Sequence, residues 1–184
     1  MTRLPILLAC LFLAVFAACG DDDEQEAAAT PEPAAEATAT PEPAAAPEGE
    51  VDLASISKKL SEKPAPEIPS DTTPPAELIT EDVVKGKGKA AKAGDTVSMQ
   101  YAGYNWSDGQ LFDASWDRGK QPFEFGLGAG MVIPGWDEGI VGMKPGGRRL
   151  LVIPPEMGYG PAGSPPVIGP NETLVFVVDL EAVK

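Results

Sequence analysis

The stretch Leu174-Val-Phe-Val-Val-Asp-Leu-Glu181 decides the fold class, because Leu174, Phe176, Val178 and Leu180 alternate with a second row that ends in two acidic residues. A period of two residues is typical of a β-strand that buries one face. Residues 97–102 repeat this alternation, and Leu150–Ile153 is a short apolar run closed by two prolines. These segments predict at least three strands.

Turn-forming residues separate the apolar segments. Asp108-Gly109 is a dipeptide that tight hairpins favour, and Lys144-Pro-Gly-Gly147 is a second turn signal. Within residues 77–184, helical spacing is confined to residues 136–141. The sequence therefore predicts an α+β domain that consists mostly of antiparallel sheet and contains one short helix.

Charge is distributed unevenly along the 184 residues, whose formal net charge is −14. Residues 20–50 hold ten acidic and no basic side chains, whereas residues 77–184 hold 14 acidic and 10 basic ones. Neither segment offers the basic surface that a phosphate backbone requires, so we expect no nucleic-acid partner. The chain has no histidine, which removes the commonest general base and metal ligand. We therefore expect no metal and no cofactor.

The N-terminus has the features of an export signal. Leu4–Ala18 is uncharged and mostly apolar after Arg3, and it is short for a membrane span. Ala17-Ala-Cys19 resembles a bacterial lipobox, which predicts a signal peptide at residues 1–18 and acylation of Cys19. We expect an extracytoplasmic protein anchored to a bacterial membrane. The alternative is ordinary cleavage after Ala18, which would give a secreted protein.

Residues 19–76 have the composition of a tether. The sequence Ala-Thr-Pro-Glu-Pro-Ala-Ala occurs at residues 29–35 and again at 39–45. Dense proline and repelling carboxylates favour an extended, unpacked chain. We interpret residues 19–76 as a disordered linker, in preference to a docking site for a proline-recognition module, and residues 77–184 as the folded domain.

Seven motifs within the folded domain occur in a fixed order. They are Tyr101-Ala-Gly-Tyr104, Asp108-Gly-Gln-Leu-Phe-Asp113, Pro122-Phe-Glu-Phe-Gly-Leu-Gly128, Val132-Ile-Pro-Gly-Trp-Asp-Glu-Gly139, Gly146-Gly-Arg-Arg-Leu-Leu-Val-Ile-Pro-Pro155, Gly158-Tyr-Gly160 and Asn171-Glu-Thr-Leu-Val-Phe176. Together they closely resemble the FKBP family of peptidyl-prolyl cis-trans isomerases. The resemblance covers residues 77–184 and implies a strongly bent antiparallel sheet wrapped around one short helix, with an aromatic pocket between them.

The resemblance also implies roles for individual side chains. Trp136 would form the pocket floor, Asp113 would hydrogen-bond Tyr101 and pair with Arg118, and Tyr159 would donate to a substrate carbonyl. The backbone N–H of Ile133 would hold the next carbonyl. The walls and flap would be formed by Tyr101, Phe112, Phe123, Val132, Ile133, Phe176, Val167 and Ile168.

Such a pocket needs no nucleophile, because an apolar site favours the twisted amide of the transition state over the planar one. The implied partners are Xaa-Pro segments of unfolded or partly folded proteins, and macrolides such as rapamycin. Met131 and Ser164 depart from the acidic and histidine residues of some relatives, so we expect altered substrate or macrolide preference. The alternatives are a non-catalytic binder of proline peptides and a chaperone. We expect a monomer.

Overall fold

The computed structural model describes residues 49–184. The predicted signal peptide, the predicted acylation site Cys19 and the predicted tether as far as residue 48 lie outside the described residues. Within residues 49–184, no helix combines the length and the apolar character needed to cross a membrane.

Six strands form one antiparallel sheet that curls around a short helix. The spatial order is β1-β5-β6-β2-β3, and β4 pairs with residues 96–99 at the other end of β2. This architecture confirms the predicted fold class. The strands are Ile79–Val84 (β1), Thr96–Asn105 (β2), Leu111–Ala114 (β3), Phe123–Gly126 (β4), Gly147–Ile153 (β5) and Leu174–Val183 (β6).

The helix α1 spans Pro134–Gly139, so the predicted range of 136–141 was two residues late at both ends. Pro134 occupies the first turn, where its fixed φ suits the helix and its missing N–H costs no hydrogen bond. The helix lies very close to β5: a Cβ atom on Gly135 would be 2.5 Å from Ile153 Cγ2. Only glycine allows this approach.

The two faces of the sheet carry separate apolar clusters. The cluster on the helix side contains Met99, Tyr101, Phe125, Trp136, Leu151, Ile153, Phe176 and Leu180. The cluster on the opposite face contains Tyr104, Trp106, Leu150, Val152, Val175 and Val177. Successive residues of β6 therefore belong to different cores, which explains why both rows of its sequence are apolar over residues 174–178.

Residues 49–76, which we call the strap, pack over this second cluster, contrary to the disordered linker predicted for them. Val51 and Ile56 are only 4% and 2% exposed. The Tyr104 hydroxyl donates to the Pro64 carbonyl over 2.6 Å, and Trp106 Nε1 donates to the Thr72 carbonyl over 3.1 Å. The sequence of the strap shows no regular spacing of apolar residues, because isolated apolar side chains and backbone carbonyls hold it on the sheet. Proline does not prevent either kind of contact.

A buried arginine of β5 joins the strap to the sheet. Arg148 is fully buried and donates to both carboxylate oxygens of Asp179 over 2.6 Å each. Its remaining donors reach the carbonyls of Ser57 and Glu62. A buried guanidinium is tolerated only when its donors are satisfied, so the strap completes the solvation of Arg148.

Candidate active site

A cavity of about 210 Å³ opens between α1 and the sheet. Its wall is aromatic and aliphatic, with a single ionisable carboxylate. The lining residues are Tyr101, Phe112, Asp113, Phe123, Met131, Val132, Ile133, Trp136, Tyr159 and Phe176.

Trp136 forms the centre of the aromatic cluster. Its ring meets those of Tyr101 and Phe176 edge to face, with centroids 5.2 and 5.1 Å apart. Phe123 and Phe125 pack against the same indole at 6.1 and 5.8 Å. The buried Trp136 Nε1 has no hydrogen-bond partner among the described residues.

The polar rim consists of three side chains in mutual contact. Tyr101 donates its hydroxyl hydrogen to Asp113 Oδ2 over 2.6 Å, and Arg118 donates to both of them. Burial raises the pKa of Tyr101, and Asp113 raises it further. The contacts with Tyr101 and Asp113 raise the pKa of Arg118. The rim therefore consists of a neutral phenol and a permanent cation beside a carboxylate.

Gly103 keeps the wall open where β2 faces β6. It pairs with Phe176 in the sheet, and a Cβ atom here would lie 2.6 Å from Phe176 Cε1 and 2.7 Å from Phe112 Cζ. The missing side chain therefore lets these two rings meet edge to face at 5.5 Å.

Residues 87–181 match the family described as FKBP-type peptidyl-prolyl cis-trans isomerase. The chain belongs to the FKBP family.

Relatives and solved structures agree with this assignment. The FK506-binding protein of Streptomyces anulatus is 52% identical over 123 residues, which are 66% of this chain and 98% of the relative. A 39 kDa FK506-binding nuclear protein of Drosophila melanogaster is 50% identical over 65% of this chain, but only 32% of that protein is matched. FkpA from Escherichia coli has a TM-score of 0.53 at 47% identity, with 64% of this chain and 51% of FkpA covered. AtFKBP13 has a TM-score of 0.55 at 36% identity, with 60% of this chain and 95% of AtFKBP13 covered.

The FKBP pocket brings together most of the predicted site residues, but not the two from the flap. Arg118 reaches the cavity through Asp113 and Tyr101 rather than lining it. Ile168 is buried in the helix-side core, and Val167 is half exposed and accepts a hydrogen bond from Asn105 through its carbonyl. Neither flap residue lines the cavity of this FKBP domain.

Two residues that support the FKBP pocket were not predicted from the sequence. Phe125 packs under Trp136, and the alternation Phe123-Glu-Phe125 was the signal for it. Asp137 accepts hydrogen bonds from the backbone N–H groups of Gly128 and Gly130 over 2.8 and 2.9 Å. It therefore ties the loop that carries Met131 to α1. No sequence pattern marks this role, because it depends on where the loop folds back.

Proposed function

We propose that the protein accelerates the cis-trans isomerisation of Xaa-Pro bonds in extracytoplasmic proteins and uses this pocket to do so. The observation that carries the proposal is an apolar cavity floored by Trp136 and bordered by a single carboxylate, Asp113. A prolyl ring would enter between the aromatic side chains that were assigned to the pocket walls from the sequence, namely Tyr101, Phe112, Phe123 and Phe176.

The chemistry requires no bond to a protein atom. Rotation about a peptide bond faces a barrier of about 18–20 kcal/mol because amide resonance resists twisting. Water stabilises the charge-separated planar amide more than the twisted one, so transfer into an apolar pocket lowers the barrier. The half-exposed Tyr159 lines the cavity, and its hydroxyl would donate to a substrate carbonyl. The N–H of Ile133 would hold the next carbonyl.

A protease-free isomerisation assay on an Xaa-Pro peptide tests this proposal with the full-length chain. We expect the chain to accelerate isomerisation. The substitutions Asp113→Ala and Phe176→Ala should reduce this activity strongly, and FK506 or rapamycin should inhibit it. Asp95→Ala is the matched control, since Asp95, like Asp113, is paired with a basic side chain (Lys89) but does not line the cavity. Binding of a proline peptide without acceleration would contradict catalysis and support the non-catalytic binder.

The export part of the proposal rests on the N-terminal sequence. Acylation of Cys19 predicts that the protein made in a bacterium incorporates labelled fatty acid and fractionates with membranes. Cys19→Ala should abolish incorporation. Unlabelled, freely released wild-type protein would instead support ordinary cleavage after Ala18.

A further inference from the structure

The turn at residues 115–120 lies between the pocket and the strap. It begins with the 3-10 helix Ser115–Arg118, whose last residue supplies the rim guanidinium. Asp117 and Lys120 of the same turn contact the strap instead. One short segment therefore connects the rim of the proposed active site to residues 49–76.

Two lysines make this connection. Lys63 Nζ of the strap donates to both carboxylate oxygens of Asp117, over 2.9 and 3.1 Å. Lys120 Nζ donates to the Ser61 carbonyl over 3.0 Å and lies 4.2 Å from the ring centroid of Trp116. The strap is itself fixed at this point, because Tyr104 holds the carbonyl of Pro64, the neighbour of Lys63.

The inner side of the turn is attached to β2. Ser115 is fully buried and donates to Gln100 Oε1 over 2.6 Å, and Gln100 Nε2 donates to the Lys120 carbonyl over 3.0 Å. These contacts hold the two ends of the turn. Among residues 49–184, the side chains of Asp117 and Arg118 form their hydrogen bonds with the strap and with the rim.

Contacts that hold the turn matter for Arg118 because its side chain is exposed to solvent. Its side chain is 52% exposed and that of Asp113 is 39% exposed. An ion pair in water holds its partners weakly, since solvent screens it and both side chains lose rotational freedom. The Lys63–Asp117 pair is exposed to a similar degree, 38% and 56%, so it also contributes weakly. We therefore expect the strap contacts to add a small amount of support for Arg118 to that of the hydrogen bonds between the turn and β2.

We propose that Lys63 and Lys120 are positioning residues for the isomerase pocket, acting through Arg118 on the contact between Asp113 and Tyr101. The proposal rests on the assignment of this pocket as the active site. It makes the strap part of the functional unit, although the matched family region begins only at residue 87.

A double-mutant cycle on the full-length chain tests this action. We expect Lys63→Ala and Lys120→Ala each to lower kcat/KM for an Xaa-Pro peptide by about two- to fivefold, mainly through kcat. In an Arg118→Ala background, the same two substitutions should have no further effect, because the residue through which they act is gone. Equal losses in both backgrounds would overturn the proposal, and so would an unchanged kcat/KM in the single variants.

Three controls separate positioning from general stability. Lys63→Arg keeps the charge and should restore wild-type kcat/KM. Lys59→Ala removes an exposed ion pair with Glu62 elsewhere in the strap and should leave kcat/KM unchanged. Urea denaturation should give similar midpoints for Lys63→Ala and Lys59→Ala.

The same experiment separates this proposal from the assignment of the active site. Full activity in Asp113→Ala would remove the pocket assignment and the positioning proposal together. Loss of activity in Asp113→Ala with unchanged kcat/KM in Lys63→Ala would overturn only the positioning proposal.

Discussion

The hydroxyl group of Tyr101 donates a hydrogen bond to Asp113 Oδ2 over 2.6 Å. Arg118 donates to both residues, so the phenol oxygen is shared between a carboxylate and a guanidinium. The Tyr101 ring also packs edge to face on Trp136. One residue therefore belongs both to the polar rim and to the apolar wall, which makes it possible to test the two parts separately.

Tyr101→Phe removes the hydroxyl and keeps the ring. We expect kcat/KM to fall by about fivefold, since a typical hydrogen bond contributes about 1 kcal/mol net. The isomerisation assay measures the change, and urea denaturation should show a loss of stability of about 1 kcal/mol. If Tyr101→Phe were as active as the wild type, the pair of Asp113 and Arg118 would be sufficient at the rim and the Tyr101 hydroxyl would not be needed.

Gly103→Ala should narrow the pocket without removing any functional group. The new methyl group would meet the rings of Phe112 and Phe176 at less than contact distance. We expect a rise in KM and a loss of about 1–3 kcal/mol in the free energy of unfolding, as is usual for overpacking.

Gly139→Ala is the control for that substitution. Its methyl group would press on Leu151 Cδ2 at 2.8 Å, in the core beneath the helix. It should lower stability by a similar amount and leave KM unchanged. An equal rise in KM in both variants would show that pocket shape is not the cause.

Ionisation of Tyr104 should lower the free energy of unfolding in alkaline solution. Burial raises its pKa to about 12, with a smaller contribution from Asp117, whereas a tyrosine in the unfolded chain titrates near 10. Above pH 10 the unfolded state loses this proton and the folded state keeps it. The raised pKa of Tyr104 therefore contributes fully to the free energy of unfolding below pH 10. This contribution, about 3 kcal/mol in total, is lost as the pH rises towards 12.

The measurement is the free energy of unfolding in urea between pH 8 and pH 12. Tyr104→Phe should be less stable at pH 8, because it loses the bond to the Pro64 carbonyl, and should show a shallower alkaline decline. Identical slopes for the two proteins would refute the assignment to Tyr104.

Arg148→Met should be severely destabilising. It leaves the buried Asp179 carboxylate without its partner, which typically costs about 3–5 kcal/mol. Lys184→Met, which removes an exposed pair with Glu124, should change the free energy of unfolding by less than about 1 kcal/mol. Urea denaturation of both variants gives the comparison, and equal effects would be inconsistent with the buried geometry.

Removal of the strap should prevent stable folding. A chain of residues 77–184 exposes the apolar cluster around Trp106 and Val177 and leaves two donors of Arg148 without acceptors. We expect a cooperative urea transition for residues 49–184 and aggregation or loss of that transition for residues 77–184. Equal stability of the two chains would restore the linker interpretation of residues 49–76.

The regular parts of the fold could be predicted from sequence because they repeat. The alternation at residues 97–102 and 174–181 corresponds to β2 and β6, and the apolar run at 150–153 lies in β5. The pairing of Asp113 with Tyr101 and Arg118 was implied by family resemblance, and the structure contains both contacts. Periodicity and motifs thus account for the sheet and the centre of the pocket.

The strap and the loop contacts could not be predicted because they depend on tertiary position. Val51 and Ile56 are buried by a sheet face whose residues lie far along the sequence, from Ala102 to Val177. Dense proline suggested an unpacked chain, but it excludes only regular hydrogen bonding. Asp137 was assigned no function because its partners are backbone groups, which no side-chain pattern reveals.

The position of β6 determines when the chain can fold during synthesis. This strand is the last of the six in sequence, yet it lies between β5 and β2. Until it leaves the ribosome, the pair β1-β5 and the strands around β2 have no strand to join them, and the strap, which precedes all six strands, has no complete surface to cover. Folding of the sheet must therefore wait until β6 has been synthesised, and a nascent chain stopped before residue 174 should remain unfolded and sensitive to proteases.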